Sequence, residues 1–276
     1  MLFLRNYAME RFLERLSASK YRNCFILKGG MLISAMVGID SRATMDIDTT
    51  LRNYPLNCES AEQIVRQIAD VEIDDKISFV IKKTEEIMED SEYQGVRLSL
   101  DAYLDKTRIP LKIDISTSDV ITPCEISFSY QLMFENRTIP LLAYPPETVL
   151  AEKLETILSR GEANTRLRDF YDVYILQRED FVVTPDALRY ALLATCRKRG
   201  HEDLLQTYAS ILDRVRQSDT MRTQWMKYQS DFDYAAGITW DTVLDTVETL
   251  CMKTLDDHAF GDELPQEESQ FEMHLL

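Results

Sequence analysis

The pattern of apolar and polar residues divides the chain into a strand-rich first half and a helical second half. Apolar stretches at residues 24–27 and 32–37 predict a short buried strand and a following helix, separated by a diglycine turn. Strict alternation at residues 109–116 predicts a half-buried strand, with four aliphatic side chains on one face and Asp114 on the polar face.

The same two periodicities assign the remaining elements. Period-2 alternation predicts further strands at residues 77–82, 95–103, 126–134 and 138–144, the last two as a hairpin. Helical spacing and capping signals predict helices at residues 1–21, 59–70, 148–159, 164–177, 184–199 and 240–255. This order predicts an α+β fold, a mixed sheet with flanking helices followed by a mainly helical C-terminal half.

We therefore expect a core domain at residues 1–145 and a helical domain at 146–256 that completes the active site. With 276 residues and 45% hydrophobic content, the chain can bury a core in each part. Residues 257–276 are acidic and poor in apolar side chains, and we expect them to form a disordered tail.

The formal charge of −16 on its own argues against a nucleic-acid substrate, but the excess of acidic residues is concentrated at the end of the chain. Residues 231–276 carry 1 basic and 12 acidic side chains, whereas residues 151–230 carry 13 and 12. The basic triplet Arg197-Lys198-Arg199 could contact an RNA backbone, or could simply complement a helix dipole.

Cysteine usage and hydropathy predict the compartment. The five cysteines are scattered, without a C-x-x-C pair or a nearby histidine, so they indicate neither a zinc site nor a disulfide framework. The N-terminal segment lacks the apolar run of a signal peptide, and no stretch reaches the roughly 18 apolar residues of a membrane span. We expect a soluble cytoplasmic protein with no membrane partner.

The candidate chemistry begins with two carboxylates, Asp46 and Asp48. Residues i and i+2 of a strand point to the same face, so the two side chains would converge and repel each other unless a cation lies between them. Mg²⁺ is the natural candidate, because it binds one or two carboxylates together with substrate phosphates. Asp114 would complete a three-carboxylate platform for two metal ions about 3.5–4 Å apart.

Two further groups point to a phosphate ligand. A strand, the diglycine Gly29-Gly30 and a helix N-terminus would expose backbone N–H groups to a phosphate. Lys153 lies within the helix at 148–159, where it could contact a triphosphate. Arg168, Asp169 and Asp172 share one face of the next helix, either to hold that lysine or as an ordinary surface salt-bridge network.

These segments together resemble the AbiEii/AbiGii-type toxin nucleotidyltransferases. The resemblance rests on K-G-G at 28–30, R-A-T-M-D-I-D at 42–48, K-I-D-I at 112–115, A-E-K-L at 151–154 and R-L-R-D-F-Y-D at 166–172. These segments stand in the family's order, and the match runs from about residue 25 to 255. The resemblance implies a DNA-polymerase-β-like fold that uses a nucleoside triphosphate and Mg²⁺, often as the toxin of a bacterial toxin–antitoxin or phage-defence pair.

The resemblance also implies residue roles. Catalysis would fall to Asp46, Asp48, Asp114 and Lys153, with the three aspartates as metal ligands. Nucleotide binding would fall to Lys28, Gly29, Gly30, Arg42, Thr44, Arg168, Asp169 and Asp172. The chain departs from the family at Met31, where a Ser or Thr commonly follows the second glycine.

The expected activity is Mg²⁺-dependent transfer of a nucleoside monophosphate to an acceptor, by resemblance an RNA end such as the 3′ end of tRNA, with a separately encoded antitoxin as partner. Two alternatives stay open. Because of Met31, the protein could be a metal- or nucleotide-binding module without catalysis. Because of its acidic end, it could be an interaction protein that recruits a basic partner.

Overall fold

The computed structural model describes residues 2–89, 93–178 and 183–256. Its strands are β1 (Phe25–Lys28), β2 (Ile47–Leu51), β3 (Ile77–Glu89), β4 (Tyr93–Leu104), β5 (Thr107–Ser116), β6 (Ile126–Gln131) and β7 (Thr138–Ala143). Its helices are α1 (Leu2–Ala18), α2 (Gly29–Val37), α3 (Cys58–Ala69), α4 (Pro146–Arg160), α5 (Leu167–Arg178), α6 (Pro185–Lys198), α7 (Leu204–Gln217), α8 (Asp219–Asp231) and α9 (Trp240–Leu255).

The strands form one mixed sheet in the order β3-β4-β5-β2-β1-β7-β6. An antiparallel meander of β3, β4 and β5 makes one side, and the β6–β7 hairpin makes the other. The central strands β1 and β2 are antiparallel, while β2 pairs with β5 and β1 pairs with β7 in parallel. This strand order places β1, β2 and β5 side by side in the middle of the sheet, although β5 is far from β1 and β2 in sequence.

One face of the sheet is buried under helices α1 and α3. The alternation of β5 places Ile109, Leu111, Ile113 and Ile115 in the core, each almost completely buried. Helix α1 packs against β5 and β7, and its Arg15 reaches Asp75 in a two-pronged ion pair with N–O distances of 2.5 and 2.8 Å. Because apolar side chains occupy this face, the polar residues of β2 and β5 are left for the other face.

Helices α4 to α9 pack together beside the sheet. Helix α4 packs against α5, α6 and α7, and α5 packs against α8 and α9. Phe170, Trp225 and Trp240 form an aromatic cluster in this helical part, with ring centroids 5.0 Å (Phe170–Trp240) and 5.9 Å (Trp225–Trp240) apart. Helix α2 of the sheet half contacts α5 directly, so the two halves share an interface.

The α+β class predicted from the sequence is confirmed, and so are the positions of the assigned elements. Several boundaries were wrong: α2 begins at Gly29, β2 begins one residue after Asp46, β6 ends at Gln131, and α5 begins at Leu167. Helices α7 and α8 had no separate assignment. The domain division at residue 145 stays a prediction, and the acidic tail at 257–276 lies outside the described residues.

In the described part of the chain, no helix combines the length and apolar character needed to cross a membrane.

Candidate active site

The polar face of the sheet carries a row of four charged residues on neighbouring strands. Lys28 of β1 is the register partner of Asp48 on β2, Asp48 is the partner of Asp114 on β5, and Asp114 is the partner of Arg97 on β4. Register partners on adjacent strands point to the same face. The sheet therefore holds two carboxylates side by side, with a cationic residue at each end of the row.

Glycines 29 and 30 allow the start of α2 to approach this row. Gly29 has φ of +62°, a left-handed conformation, and a methyl group at this position would overlap the Asp48 carboxylate. The Gly30 N–H donates to Asp48 Oδ2 at 3.4 Å, and a Cβ at Gly30 would lie 2.5 Å from Thr44 Oγ1. The diglycine is thus a close-approach site as well as a turn.

Asp46 lines the same cleft as Asp48 and is half-buried, directly before the start of β2. Within residues 2–89, 93–178 and 183–256, no group of three or more His, Cys, Asp or Glu side chains is arranged to hold a metal ion. Mg²⁺ commonly needs only one or two carboxylates when substrate phosphates supply further oxygens. The acidic pair therefore has a suitable donor set for one such ion.

Asp114 has a partner that sequence reasoning missed. Arg97 donates from Nε to Asp114 Oδ1 at 2.7 Å and from Nη2 to Oδ2 at 2.6 Å, the two-pronged geometry typical of strong arginine–carboxylate pairs. Hydrogen bonding to Asp114 raises the pKa of Arg97, whose charge also interacts with Asp46. Asp114 as a ligand of a second metal ion stays a prediction, and the structure gives both of its oxygens to Arg97.

Lys28 lies beside a half-buried carboxylate that the sequence did not reveal, Asp119. Its Nζ is 2.9 Å from Asp119 Oδ2, which also accepts hydrogen bonds from the hydroxyls of Thr50, Ser116 and Tyr144. Burial would raise the pKa of Asp119, but the Lys28 charge and these hydroxyls outweigh it and hold the pKa at about 2, below the ordinary 3.8. Asp119 lies just past the end of β5, so no motif spacing marks it.

Lys153 is held by two aspartates of α5. Its Nζ lies 2.5 Å from Asp169 Oδ1 and 3.1 Å from Asp172 Oδ2. Burial lowers the pKa of Lys153, yet the two carboxylates outweigh burial and raise it. The second oxygen of Asp169 is buried without a hydrogen-bond partner among the described residues. The surface-network alternative is therefore wrong for these aspartates, both of which are buried.

Arg42 joins this group from the sheet half. It donates from Nε to Asp172 Oδ1 at 2.6 Å and from Nη2 to Oδ2 at 3.2 Å, and both side chains are fully buried. Asp172 therefore connects Arg42 and Lys153. Arg168, expected to join the cluster, is instead exposed in the cleft and forms no ion pair within the described ranges.

A cleft of ≈1440 Å³ is lined by all of the charged side chains of the candidate site described above except Asp172. Its lining residues include nine Lys or Arg and eight Asp or Glu, so the cleft is nearly neutral although the chain is strongly acidic. Helices α4, α5 and α8 and the residue before α5 contribute four cationic side chains that are exposed or half-buried: Arg160, Arg168, Lys227 and Arg166.

The basic triplet at 197–199 divides between two environments. Arg199 lines the cleft and pairs with Glu155 and, at 3.6 Å, with Glu152, while Arg197 is exposed outside it. His201 Nδ1 lies 2.7 Å from Glu155 Oε1. The His201 side chain is 45% exposed and lines the cleft. The sequence did not reveal this pair, because Glu155 lies 46 residues earlier in the chain.

The fold, the aspartates of the cleft and the diglycine beside them agree with the nucleotidyltransferase class expected from the sequence. Over residues 11–246 the chain matches the family described as nucleotidyl transferase AbiEii toxin, type IV TA system. The chain belongs to this family. The resemblance proposed from the sequence motifs and the enzyme class are thereby confirmed.

Solved structures of similar fold include a protein from H. pylori assigned to the nucleotidyltransferases, with 13% identity, a TM-score of 0.50, and coverage of 94% of this chain and 98% of that one. JHP933 from Helicobacter pylori has 14% identity, a TM-score of 0.49 and coverage of 93% and 94%. An antigenic nucleotidyltransferase-like protein from Paracoccidioides brasiliensis has 13% identity, a TM-score of 0.41 and coverage of 72% and 90%. No curated protein matches the chain.

The close approach of Gly29 to Asp48 predicts the effect of Gly29→Ala. The substitution should lower the melting temperature and displace the Asp48 carboxylate, because the new methyl group overlaps it and the left-handed backbone is strained. Gly38→Ala is the matched control, since Gly38 also has positive φ but no atom lies within 4 Å of its Cβ position. Equal melting temperatures for the two variants would contradict the close-approach argument.

The pKa of Asp119 predicts a pH-dependent contribution to folding. Because the folded-state pKa is lowered from 3.8 to about 2, the carboxylate stabilises the fold above pH 3.8 and loses this effect as the pH falls toward 2. The shift corresponds to about 2 kcal/mol. Asp119→Asn should lower the free energy of unfolding near neutral pH, and its difference from wild type should shrink on acidification. A difference that stays constant down to about pH 3 would argue against this origin.

Proposed function

We propose that this nucleotidyltransferase transfers a nucleoside monophosphate from a nucleoside triphosphate to an RNA 3′ end, with tRNA as the expected acceptor class, in a Mg²⁺-dependent reaction. The acceptor hydroxyl oxygen bonds the α-phosphorus, the bond to the pyrophosphate oxygen breaks, and the hydroxyl proton is released. The observation that carries the proposal is the acidic pair Asp46 and Asp48 beside the diglycine, in a cleft with exposed arginines.

The donor set supports a magnesium nucleotide. Asp46 and Asp48 would hold the ion together with triphosphate oxygens, and the ion would supply positive charge against the charge of the transferring phosphate. Gly29 and Gly30 bring the start of α2 to Asp48, so backbone N–H groups are available to the phosphates. The Met31 side chain is buried in the core, so it does not bind a phosphate, and phosphate binding at the diglycine falls to the backbone.

Lys153 and its partners support a site for the phosphate tail. Lys153 lines the cleft with its side chain 18% exposed, so its ammonium can meet a phosphate oxygen while Asp169 and Asp172 hold it. Arg42 and Thr44 are buried beside Gly30 and contribute by positioning this wall. We propose that Lys153 and Lys28 bind phosphate oxygens, while their acidic partners, Asp169 and Asp172 for Lys153 and Asp119 for Lys28, keep both cations in place.

The cationic wall supports a polyanionic acceptor. Arg166 lies just before α5, Arg168 lies on α5 and Lys227 lies on α8. All three are exposed and line the same cleft as the carboxylates. Phosphates attract Lys and Arg without regard to sequence, so such side chains can position an RNA strand at the reacting atoms. This wall replaces the triplet at 197–199 as the proposed RNA contact, because Arg199 is already paired with acidic residues.

The family assignment implies a toxin of a toxin–antitoxin system. We propose accordingly that the enzyme acts in the cytoplasm, that a separately encoded antitoxin opposes it, and that the pair serves phage defence.

The test of the transfer reaction is incubation of the purified protein with Mg²⁺, each labelled nucleoside triphosphate and total RNA. Label in one RNA class with release of pyrophosphate supports the proposal, whereas label on protein alone would refute the RNA acceptor.

The acidic pair predicts the result of Asp48→Asn. Transfer should fall by at least about a hundredfold, because the variant loses a charge aimed at the metal nucleotide. The melting temperature should change little. Asp101→Asn is the matched control: Asp101 is a buried carboxylate on β4 that pairs with Arg108 and does not line the cleft. Near wild-type transfer by Asp48→Asn would remove this residue from the site.

The cationic wall predicts the result of Arg168→Glu. The KM for acceptor RNA should rise about tenfold and depend less on salt, with little change in kcat, because one phosphate contact is reversed in charge. Arg197→Glu changes the net charge equally at an exposed position outside the cleft and should leave this KM unchanged. A rise only in the KM for the triphosphate would instead assign Arg168 to the nucleotide, as the sequence motif predicted.

A further inference from the structure

The residue Arg97 has no place in the sequence motifs, yet it holds one of the three motif aspartates. Its guanidinium uses Nε and Nη2 to bind the two oxygens of Asp114 at 2.7 and 2.6 Å. The Arg97 side chain is 35% exposed and lines the cleft, whereas the Asp114 side chain is 8% exposed. Asp114 also lines the cleft, but the guanidinium is the more exposed member of the pair, so an ion that approaches Asp114 from the cleft meets this positive charge.

The sheet prevents this pair from separating by backbone movement. Arg97 and Asp114 are direct register partners on β4 and β5, which pair without interruption from Val96–Ile115 to Leu104–Thr107. The neighbouring pairs Val96–Ile115 and Leu98–Ile113 are buried in the core. Separating the pair therefore requires a side-chain rotation, and a rotation of Arg97 away from Asp114 would leave the carboxylate beside Asp48 without this cation.

The Arg97–Asp114 pair compensates the negative charge of two neighbouring carboxylates. Asp48 and Asp114 are adjacent in the register, and two neighbouring carboxylates require compensating positive charge. A two-metal site supplies that charge with a second ion. Here a guanidinium already supplies it at Asp114 and also interacts with Asp46, so a second divalent ion would meet a fixed positive charge.

We infer that Arg97 is a built-in cation that takes the place of a second metal ion at Asp114, so that the cleft binds a single divalent ion, at Asp46 and Asp48. This inference rests on the proposed function and specifies its metal requirement. Arg97 acts as a positioning residue: it fixes the Asp114 carboxylate and excludes an ion from it.

The test counts bound metal directly. Wild-type protein and Arg97→Gln would be titrated with Mn²⁺, with free ion measured by electron paramagnetic resonance, both without nucleotide and with a non-hydrolysable nucleoside triphosphate. Arg97→Gln should bind one Mn²⁺ more than wild type in both conditions. This ion should bind at Mn²⁺ concentrations at least about tenfold below any at which wild type takes up a further ion. Adding Asp114→Asn to this variant should remove the extra ion.

Two control variants separate the inference from a structural effect. Arg97→Lys keeps a positive charge and should exclude the extra ion as wild type does. Arg108→Gln removes another arginine–carboxylate pair between β4 and β5, Arg108–Asp101, outside the cleft, and should bind as many ions as wild type. Melting temperatures of all variants establish that each is folded.

The possible outcomes are distinct. Two ions on the wild type, or no additional ion on folded Arg97→Gln, would overturn the inference. A wild type that binds no triphosphate would instead refute the proposed function, and the count without nucleotide would still decide the role of Arg97. An additional ion that depends on Asp114 and is absent in Arg97→Lys and Arg108→Gln would support the built-in cation.

Discussion

The structure of the site depends on one electrostatic constraint, the placement of two carboxylates side by side in the middle of a sheet. The register of β2 and β5 makes Asp48 and Asp114 neighbours on the same face, and their backbones cannot move apart without breaking strand pairing. Two carboxylates on adjacent strands repel each other, so nearby positive charge must compensate them. Arg97 on the next strand compensates Asp114, and the glycine-bordered start of α2 approaches Asp48. The chemistry of the cleft follows from how this charge is shared.

A second set of buried charges connects the sheet to the helices. Asp172 of α5 accepts hydrogen bonds from Arg42 of the sheet half and lies 3.1 Å from Lys153 of α4. Fully buried ion pairs often add little net stability, because desolvation offsets the attraction between the charges, but the loss of one partner is costly. Such a network therefore enforces one arrangement of the two halves. That arrangement places Lys153 and the carboxylates of β2 and β5 in one cleft.

The local charge of the cleft differs from that of the whole chain. The chain has a net charge of −16, yet the cleft contains nine basic and eight acidic side chains. Several of the acidic groups are already paired with cations: Asp114 with Arg97, Asp119 with Lys28, and Glu155 with Arg199. Arg168 and Lys227 are exposed on the helical wall of the same cleft, where a polyanion can reach them. Net charge is therefore a poor guide to the ligands of this protein.

The sequence by itself determined the elements and the candidate acidic residues, because these follow from local rules. Alternation at 109–116 placed Asp114 on the polar face, the diglycine marked the start of α2, and the order of motifs identified the family. Long-range pairing was decided only by the tertiary structure. Arg97 is 17 residues from Asp114, Lys28 is 91 from Asp119, and Arg42 is 130 from Asp172. No periodicity along the chain encodes such distances, since they depend on strand order and helix packing. The sequence therefore identified most of the charged residues of the site, whereas strand order and helix packing determined which of them pair and added Arg97 and Asp119.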